Sequence, residues 1–181
     1  MEPNAPICRV ATEADLEQLN ALMARSIAQL QSDFLSPAEI IASQHVMGLD
    51  TQLVRDGTYL LAEADGVIAG CGGWSWRSTL YGGDASIVAR EPYALDPATD
   101  AARIRAMYTD PQFARRGVGR QILNACEEAA RAYGFSKVEM MATLAGAALY
   151  RTCGYHEIEH IRTEPIAGVV VPMIRMGKSL P

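Results

Sequence analysis

Tyr108-Thr109-Asp110-Pro111-Gln112-Phe113-Ala114-Arg115-Arg116-Gly117-Val118-Gly119-Arg120-Gln121-Ile122 is the stretch around which the chain is organised. Upstream of it, Ile104, Ala106 and Tyr108 alternate with Arg103, Arg105 and Met107, the period-two pattern of a strand over 102–109. Asp110-Pro111 ends that strand, because proline brings no N–H to a ladder and suits a turn. Downstream, Val118, Ile122, Cys126, Ala129 and Tyr133 fall three or four apart, the apolar face of one helix. Gly134 supplies its stop. A glycine-containing loop therefore joins a strand to a helix N-terminus, and such a loop suits a pyrophosphate. Glycine lets the backbone come close, and the first N–H groups of the helix have no internal partner and carry the positive end of the dipole. Arg115, Arg116 and Arg120 add countercharge.

The residues around the glycines narrow the kind of cradle. A nucleotide P-loop needs Gly-Lys-Ser/Thr, whereas Gly119 is followed by Arg120-Gln121. A dinucleotide fingerprint needs a third glycine where Ile122 stands. Glu139 lies at the distance of a ribose-binding acid, and we read that as coincidence. The plain alternative is a tight strand-to-helix turn with solvated arginines.

A second segment bears on that choice. Thr143-Leu144-Ala145-Gly146-Ala147-Ala148-Leu149-Tyr150-Arg151-Thr152-Cys153-Gly154-Tyr155 reads as a short helix carrying a tyrosine, closed by Gly-Tyr. Together with Met107 to Pro111 and Arg116-Gly117-Val118-Gly119, in this order and spacing, it resembles the two cofactor segments of the GNAT superfamily of acyl-CoA N-acyltransferases. Two positions depart from the family pattern. Ala114 stands where Gln or Arg is usual, and Thr143 where Asn is usual. The resemblance extends over nearly the whole chain and is weakest between Arg77 and Ala98.

The resemblance implies a single α/β domain over 1–181, with a central mixed sheet of six or seven strands flanked by helices. It implies acetyl-CoA as co-substrate and no metal. Met107, Tyr108, Thr109, Arg115, Arg116, Gly117, Val118, Gly119, Arg120, Thr143, Ala147 and Tyr150 would bind it. An N–H near 107–109 would stabilise the carbonyl oxygen. Tyr150 would be the catalytic acid for the leaving thiolate, where its packing alternative is a core tyrosine with a satisfied hydroxyl. The implied reaction is direct transfer of acetyl to a primary amine of a small molecule or peptide, with a homodimer allowed. The rival reading is a non-catalytic acyl-CoA-binding module on the same fold.

Composition agrees with one globular unit. The 181 residues are 49% hydrophobic with a net charge of −5, which argues against a dedicated nucleic-acid binder and permits cationic amines. Cys8, Cys71, Cys126 and Cys153 form no Cys-x-x-Cys pair or Cys/His cluster, so neither structural zinc nor a disulfide framework is expected. Met1-Glu2-Pro3-Asn4 is neither basic nor apolar, and no apolar run approaches the ~18 residues of a membrane helix. A cytoplasmic protein without membrane contact is the expectation.

Elsewhere, residues 7–11 alternate as a first strand, and Thr12 stands as N-cap before Leu16, Leu19, Ile27 and Leu30 at helical spacing. Ser36-Pro37-Ala38-Glu39 is a capping box with proline at the first helical position, predicting a helix that ends at Gly48. His45 in it is read as a surface or packing residue rather than a base. Residues 58–63 and 67–74 flank Asp65-Gly66, a hairpin with a primed turn. Gly70, Gly72 and Gly73 predict a bulge or close backbone approach in its second strand. Trp74 and Trp76 serve either as core or as a wall of the acceptor cleft. Residues 77–99 hold no period and read as a long loop, the candidate for substrate selection.

Residues 136–142 read as a fifth strand, and 156–162 with 168–176 as a closing antiparallel pair. Pro172 in the last of these predicts a local break in pairing. Cys153 is read as a packed thiol rather than a nucleophile beside His156. No general base stands out: Glu139, Glu63, Asp84, Glu91 and Glu164 all remain open.

Overall fold

The computed structural model describes residues 6–90 and 93–181. The expectations for Met1 to Asn4 and for Glu91 lie outside the described residues. Seven strands form one sheet: β1 (Ile7–Val10), β2 (Tyr59–Ala64), β3 (Val67–Ser75), β4 (Ala102–Thr109), β5 (Lys137–Thr143), β6 (His156–Arg162) and β7 (Pro172–Ser179). Their order is β1-β2-β3-β4-β5-β7-β6. Every neighbouring pair is antiparallel except β4 and β5. Those two are parallel, as a helical crossover requires. The helices are α1 (Leu16–Leu30), α2 (Pro37–Ser43), α3 (Thr51–Arg55), α4 (Val118–Tyr133) and α5 (Leu144–Thr152).

The local signals act as their chemistry dictates. Asp65 and Gly66 both take positive φ (52° and 78°) in the β2–β3 hairpin, the geometry of a type I′ turn. Ser36 Oγ accepts from Glu39 N–H at 3.3 Å while Glu39 accepts from Ser36 N–H at 2.8 Å, completing the capping box before α2. At Thr12 the carboxylate side of the box recurs, as at Ser36, whose hydroxyl also donates to Glu39. The Thr12 hydroxyl donates to Asp15 at 3.0 Å, and Asp15 also accepts from the Thr12 N–H. α2 ends at Ser43, short of Gly48, and α3 follows with Asp50 as its cap. The apolar pattern from Ile40 to Met47 therefore covers a helix plus a turn.

Pro172 opens β7 rather than interrupting it. The strand runs to Ser179, pairs with β5 only from Met173 onward, and lies between β5 and β6. A proline at the first residue of a strand costs no ladder bond on that side.

α4 packs on one face of the sheet, burying Val118, Ile122, Leu123, Cys126 and Ala130. Its face is rotated from the expected one, and Tyr133 remains half exposed. There Tyr133 stacks on Trp76, with ring centroids 5.4 Å apart, and meets Trp74 edge-on at 5.4 Å. Trp74 also packs against Phe135. The two tryptophans thus belong to an aromatic cluster at the C-terminal end of α4, and neither lines the cleft. α1 and α3 pack on the opposite face, around Leu19, Leu22, Leu61 and Cys71.

Candidate active site

The site arises where the sheet stops being continuous. β4 and β5 pair at Ala102–Val138, Arg103–Glu139 and Ile104–Met140 and no further, although they continue to Thr109 and Thr143. On its other side β4 is bulged. Cys71 opposes Tyr108 and Gly73 opposes Arg105, so Gly72 faces both Ala106 and Met107. Ala106 takes φ +49° to allow this, and Tyr59 Oη braces it by donating to Ala106 O at 2.8 Å. The glycines of β3 accept the consequence. A Cβ at Gly72 would run into the Met107 sulfur, and one at Gly70 would lie 2.7 Å from Val118.

The divergence leaves a wedge with a cavity of about 70 Å³ between the two strands. Arg105 to Tyr108 border it from β4, and Met140, Met141 and Thr143 from β5. Gly48 and the segment 80–82 close one side, and Tyr150 stands on the other. Tyr150 is 7% exposed, so its ring is held by the core. Its hydroxyl has no hydrogen-bond partner among the described residues, and no buried side-chain polar atom there lacks one. The hydroxyl must therefore reach open space, and the space beside it is the cavity. Burial pushes the Tyr150 pKa above the phenol range, so at neutral pH the group is a proton donor. Tyr108 is differently employed. Its oxygen accepts from Gly48 N–H at 2.9 Å, tying β4 to the α2–α3 connection.

At the end of β4, Asp110 caps a single 3-10 turn by accepting from Gln112 N–H at 2.9 Å. It is held from α1 by Arg25 at 2.6 Å. The loop then runs through Arg115 (φ +65°) and Gly117 (φ +83°) into α4. Gly117 is the helix N-cap, and a Cβ there would meet nothing within 4 Å. The space in front of the first turn is therefore open, and left-handed backbone makes glycine the fitting residue. Arg115, Arg116 and Arg120 form no ion pair among the described residues. Arg116 lies over the Phe113 ring at 5.5 Å, and Arg120 donates to Thr152 Oγ1 at 3.2 Å. Open N–H groups and cations without a carboxylate partner fit a diphosphate. Gly119 also serves packing. A Cβ there would sit 2.9 Å from Leu149, so its absence lets α5 approach α4.

The remaining expected site residues divide by burial. Thr143 caps α5, accepting from Gly146 N–H at 3.1 Å, and borders the cavity. Ala147 is 1% exposed and packed in the main core, with no surface toward the wedge. Val118 is likewise buried beneath the loop. Cys153 is partly buried against that core, and His45 and His156 are exposed.

None of the described carboxylates that sequence left open as bases borders the cavity. Glu139 is held by Arg175 at 2.6 Å and Arg103 at 3.0 Å, and Glu63 by Arg9. Asp84 pairs with Arg90 and accepts from Thr51 N–H. Glu164 is exposed beside Tyr81.

Sequence reasoning missed one group of residues. Arg105 and Asp50 form a buried ion pair at 2.8 Å behind the cavity, each side chain 3% exposed. Arg105 also donates to the carbonyls of Thr79 (3.0 Å) and Gly82. Asp50 also receives Arg90 at 2.9 Å. Together they pin the long loop against the wedge. The available signal was an arginine in a strand with apolar neighbours, but its partner is 55 positions away.

The chain matches the family model described as "Acetyltransferase (GNAT) family" over residues 24–155. It belongs to that family. Solved structures of the same fold match most of this chain. A GCN5-related N-acetyltransferase from Rhodopseudomonas palustris superposes with a TM-score of 0.70 at 21% identity, covering 99% of each chain. The ribosomal-protein-alanine N-acetyltransferase from Brucella melitensis gives 0.61 at 21%, covering 96% of this chain and 99% of that one. A PaiA N-acetyltransferase from Thermoplasma acidophilum, solved with coenzyme A, gives 0.61 at 16%, covering 97% and 99%. Among curated proteins none matches significantly.

Proposed function

We propose that the protein transfers an acetyl group from acetyl-CoA directly to a primary amine. The observation that carries this reading is the combination of three features that follow one another from the open half of β4. These are an open, cation-flanked helix N-terminus at Gly117, a wedge between parallel strands, and a free tyrosine hydroxyl at that wedge. Family membership supports the acetyl-CoA part, as does the coenzyme A in the Thermoplasma neighbour. The N–H groups of 115–120 would hold the pyrophosphate, leaving the thioester free to enter the wedge.

The reaction needs no covalent enzyme intermediate. The amine lone pair forms the C–N bond, and the carbonyl oxygen gains charge. Past Ile104 no strand covers the β5-facing edge of β4, so N–H groups of 107–109 on that edge are suited to stabilise the oxyanion. As the C–S bond breaks, sulfur takes the electron pair, and Tyr150 gives it a proton. The proton released by the nitrogen restores the phenol. The products are an amide and CoA thiol. Holding both reactants in one wedge supplies much of the rate.

The purified protein, mixed with acetyl-CoA and a set of primary amines, should release CoA thiol and acetylated amine in equal amounts. CoA binding without turnover of any amine would instead favour an acyl-CoA-binding module.

A further inference from the structure

The bulge in β4 aims one backbone N–H at the wedge, and a tyrosine outside the wedge sets that aim. Asp110 N–H donates to Ala69 O of β3 at 2.9 Å, and Tyr108 pairs with Cys71 of the same strand. Successive residues of a strand turn their N–H groups to opposite edges. Those of Tyr108 and Asp110 therefore face β3, and those of Met107 and Thr109 face the β5 side. β5 has already parted from β4 at that level. Of the two, Met107 borders the cavity and Thr109 does not.

The direction of the Met107 N–H depends on the peptide that carries it. That peptide is trans, so its C=O and N–H point opposite ways. The C=O belongs to Ala106 and accepts from Tyr59 Oη at 2.8 Å. Tyr59 stands on β2 opposite Gly73 and reaches across β3 to make this bond. A Cβ at Gly73 would lie 2.8 Å from the Tyr59 ring, so the glycine leaves the ring its path. The Ala106 carbonyl is thus drawn toward β3, and the Met107 N–H is left facing the wedge. Ala106 would not hold this arrangement alone, because its φ of +49° is one that alanine disfavours. Tyr59 is fully buried, and burial raises its pKa well above the phenol range, so its hydroxyl stays a donor. Phenylalanine would fill the same core space, so packing alone does not call for that hydroxyl.

We propose that Tyr59 is a positioning residue for acetyl transfer: its hydroxyl fixes the Ala106–Met107 peptide so that Met107 N–H meets the thioester carbonyl oxygen. This rests on the transferase reading above. Tyr59 does not touch the substrate and acts through one peptide. A donor fixed beforehand needs no reorganisation while charge develops on the oxygen.

Acetyl-CoA labelled with a heavy carbon isotope at its carbonyl is the probe, because a hydrogen bond to that oxygen lowers the carbonyl stretching frequency. Bound to the wild-type protein, it should give an infrared band below that of free acetyl-CoA. In Tyr59→Phe the band should move back toward the free position, with CoA affinity by calorimetry little changed. Tyr155→Phe is the comparison. It also removes a buried hydroxyl, one that donates to Glu127 at 2.9 Å away from the cavity, and should leave the band in place. An unmoved band in Tyr59→Phe, or an equal movement in Tyr155→Phe, would overturn the role of Tyr59 and leave the transferase reading standing. An unshifted band in the wild type, with acetyl-CoA bound, would remove the oxyanion donor from 107–109 and the role of Tyr59 with it. Should Tyr59→Phe fail to fold, Ala106→Gly is added, since glycine takes positive φ without strain. The double variant should show the same return of the band, and a band held at the wild-type position there would also overturn the proposal.

Discussion

The two halves of β4 are built from the same kinds of residue and do opposite things. From Ala102 to Ile104 the strand pairs with β5, Arg103 and Ile104 pair with β3 as well, and Ala102 and Ile104 share a core cluster with Trp74 and Phe135. From Arg105 to Thr109 it has β3 alone at its side, carries a bulge, and borders a cavity. The closed half is stabilised by ladder bonds and aromatic packing. The open half has lost one ladder, so other contacts must hold it. Tyr59 braces the bulge, Tyr108 reaches Gly48, and Arg105 with Asp50 ties in the loop. A strand can present backbone groups to a substrate only where a neighbouring strand is withheld, and the missing pairing must be replaced by side chains.

The comparison is sharpened first at Tyr150, which serves the open half without holding it. Tyr150→Phe keeps the ring and removes the donor. In single-turnover acetyl transfer at saturating acetyl-CoA the rate should fall roughly 10²–10⁴-fold, with CoA affinity little changed. Transfer at the wild-type rate would return Tyr150 to a packing role.

Asp50→Ala tests whether the side-chain ties replace the missing ladder. It leaves the Arg105 guanidinium buried without its carboxylate and removes the α3 cap, and one-sided breaking of a buried pair costs about 3–5 kcal/mol. Urea unfolding should show a loss of that size. A loss under about 1 kcal/mol, the value of a surface pair, would mean that the pair does not hold the open half.

At the loop beyond the open half, Gly117→Asp puts a side chain on backbone at φ +83° and a carboxylate into the anion space. CoA affinity by calorimetry should drop more than tenfold, about 1.4 kcal/mol. Unaltered affinity in a folded variant would move the pyrophosphate elsewhere.

The smallest effect belongs to ion pairs away from the wedge. Hydrogen bonding from Arg9 holds Asp15 well below the ordinary carboxylate value of 3.8, and Arg77 lowers Asp56 likewise. A lowered folded pKa stabilises fully above the unfolded value, and the contribution is lost as pH falls through the folded one. Thermal stability should therefore decline below about pH 4. Arg9→Leu should make that decline shallower, and an unchanged acid limb would show that Asp15 does not shape it.

Much of the fold could be read from local chemistry. Asp65-Gly66 specifies a hairpin because both residues tolerate positive φ, and the change from period two to period 3.6 across Asp110–Gly119 specifies strand, loop and helix. The end of the last strand was less legible, because Pro172 says where pairing cannot occur but not on which side the partners lie. Trp74 and Trp76 were undecided because alternation gives their shared side, not what covers it.

By itself, then, the sequence determined the elements, the glycine cradle and the tyrosine that follows it, since dihedral preference, periodicity and missing N–H partners are properties of a few consecutive residues. Only the tertiary structure decided that β4 and β5 part after Ile104, that Asp50 answers Arg105, that the described candidate bases lie away from the cavity, and that β4, β5, α5 and the long loop meet around it. Those facts depend on which distant segments share a volume, and that follows from packing the whole sheet.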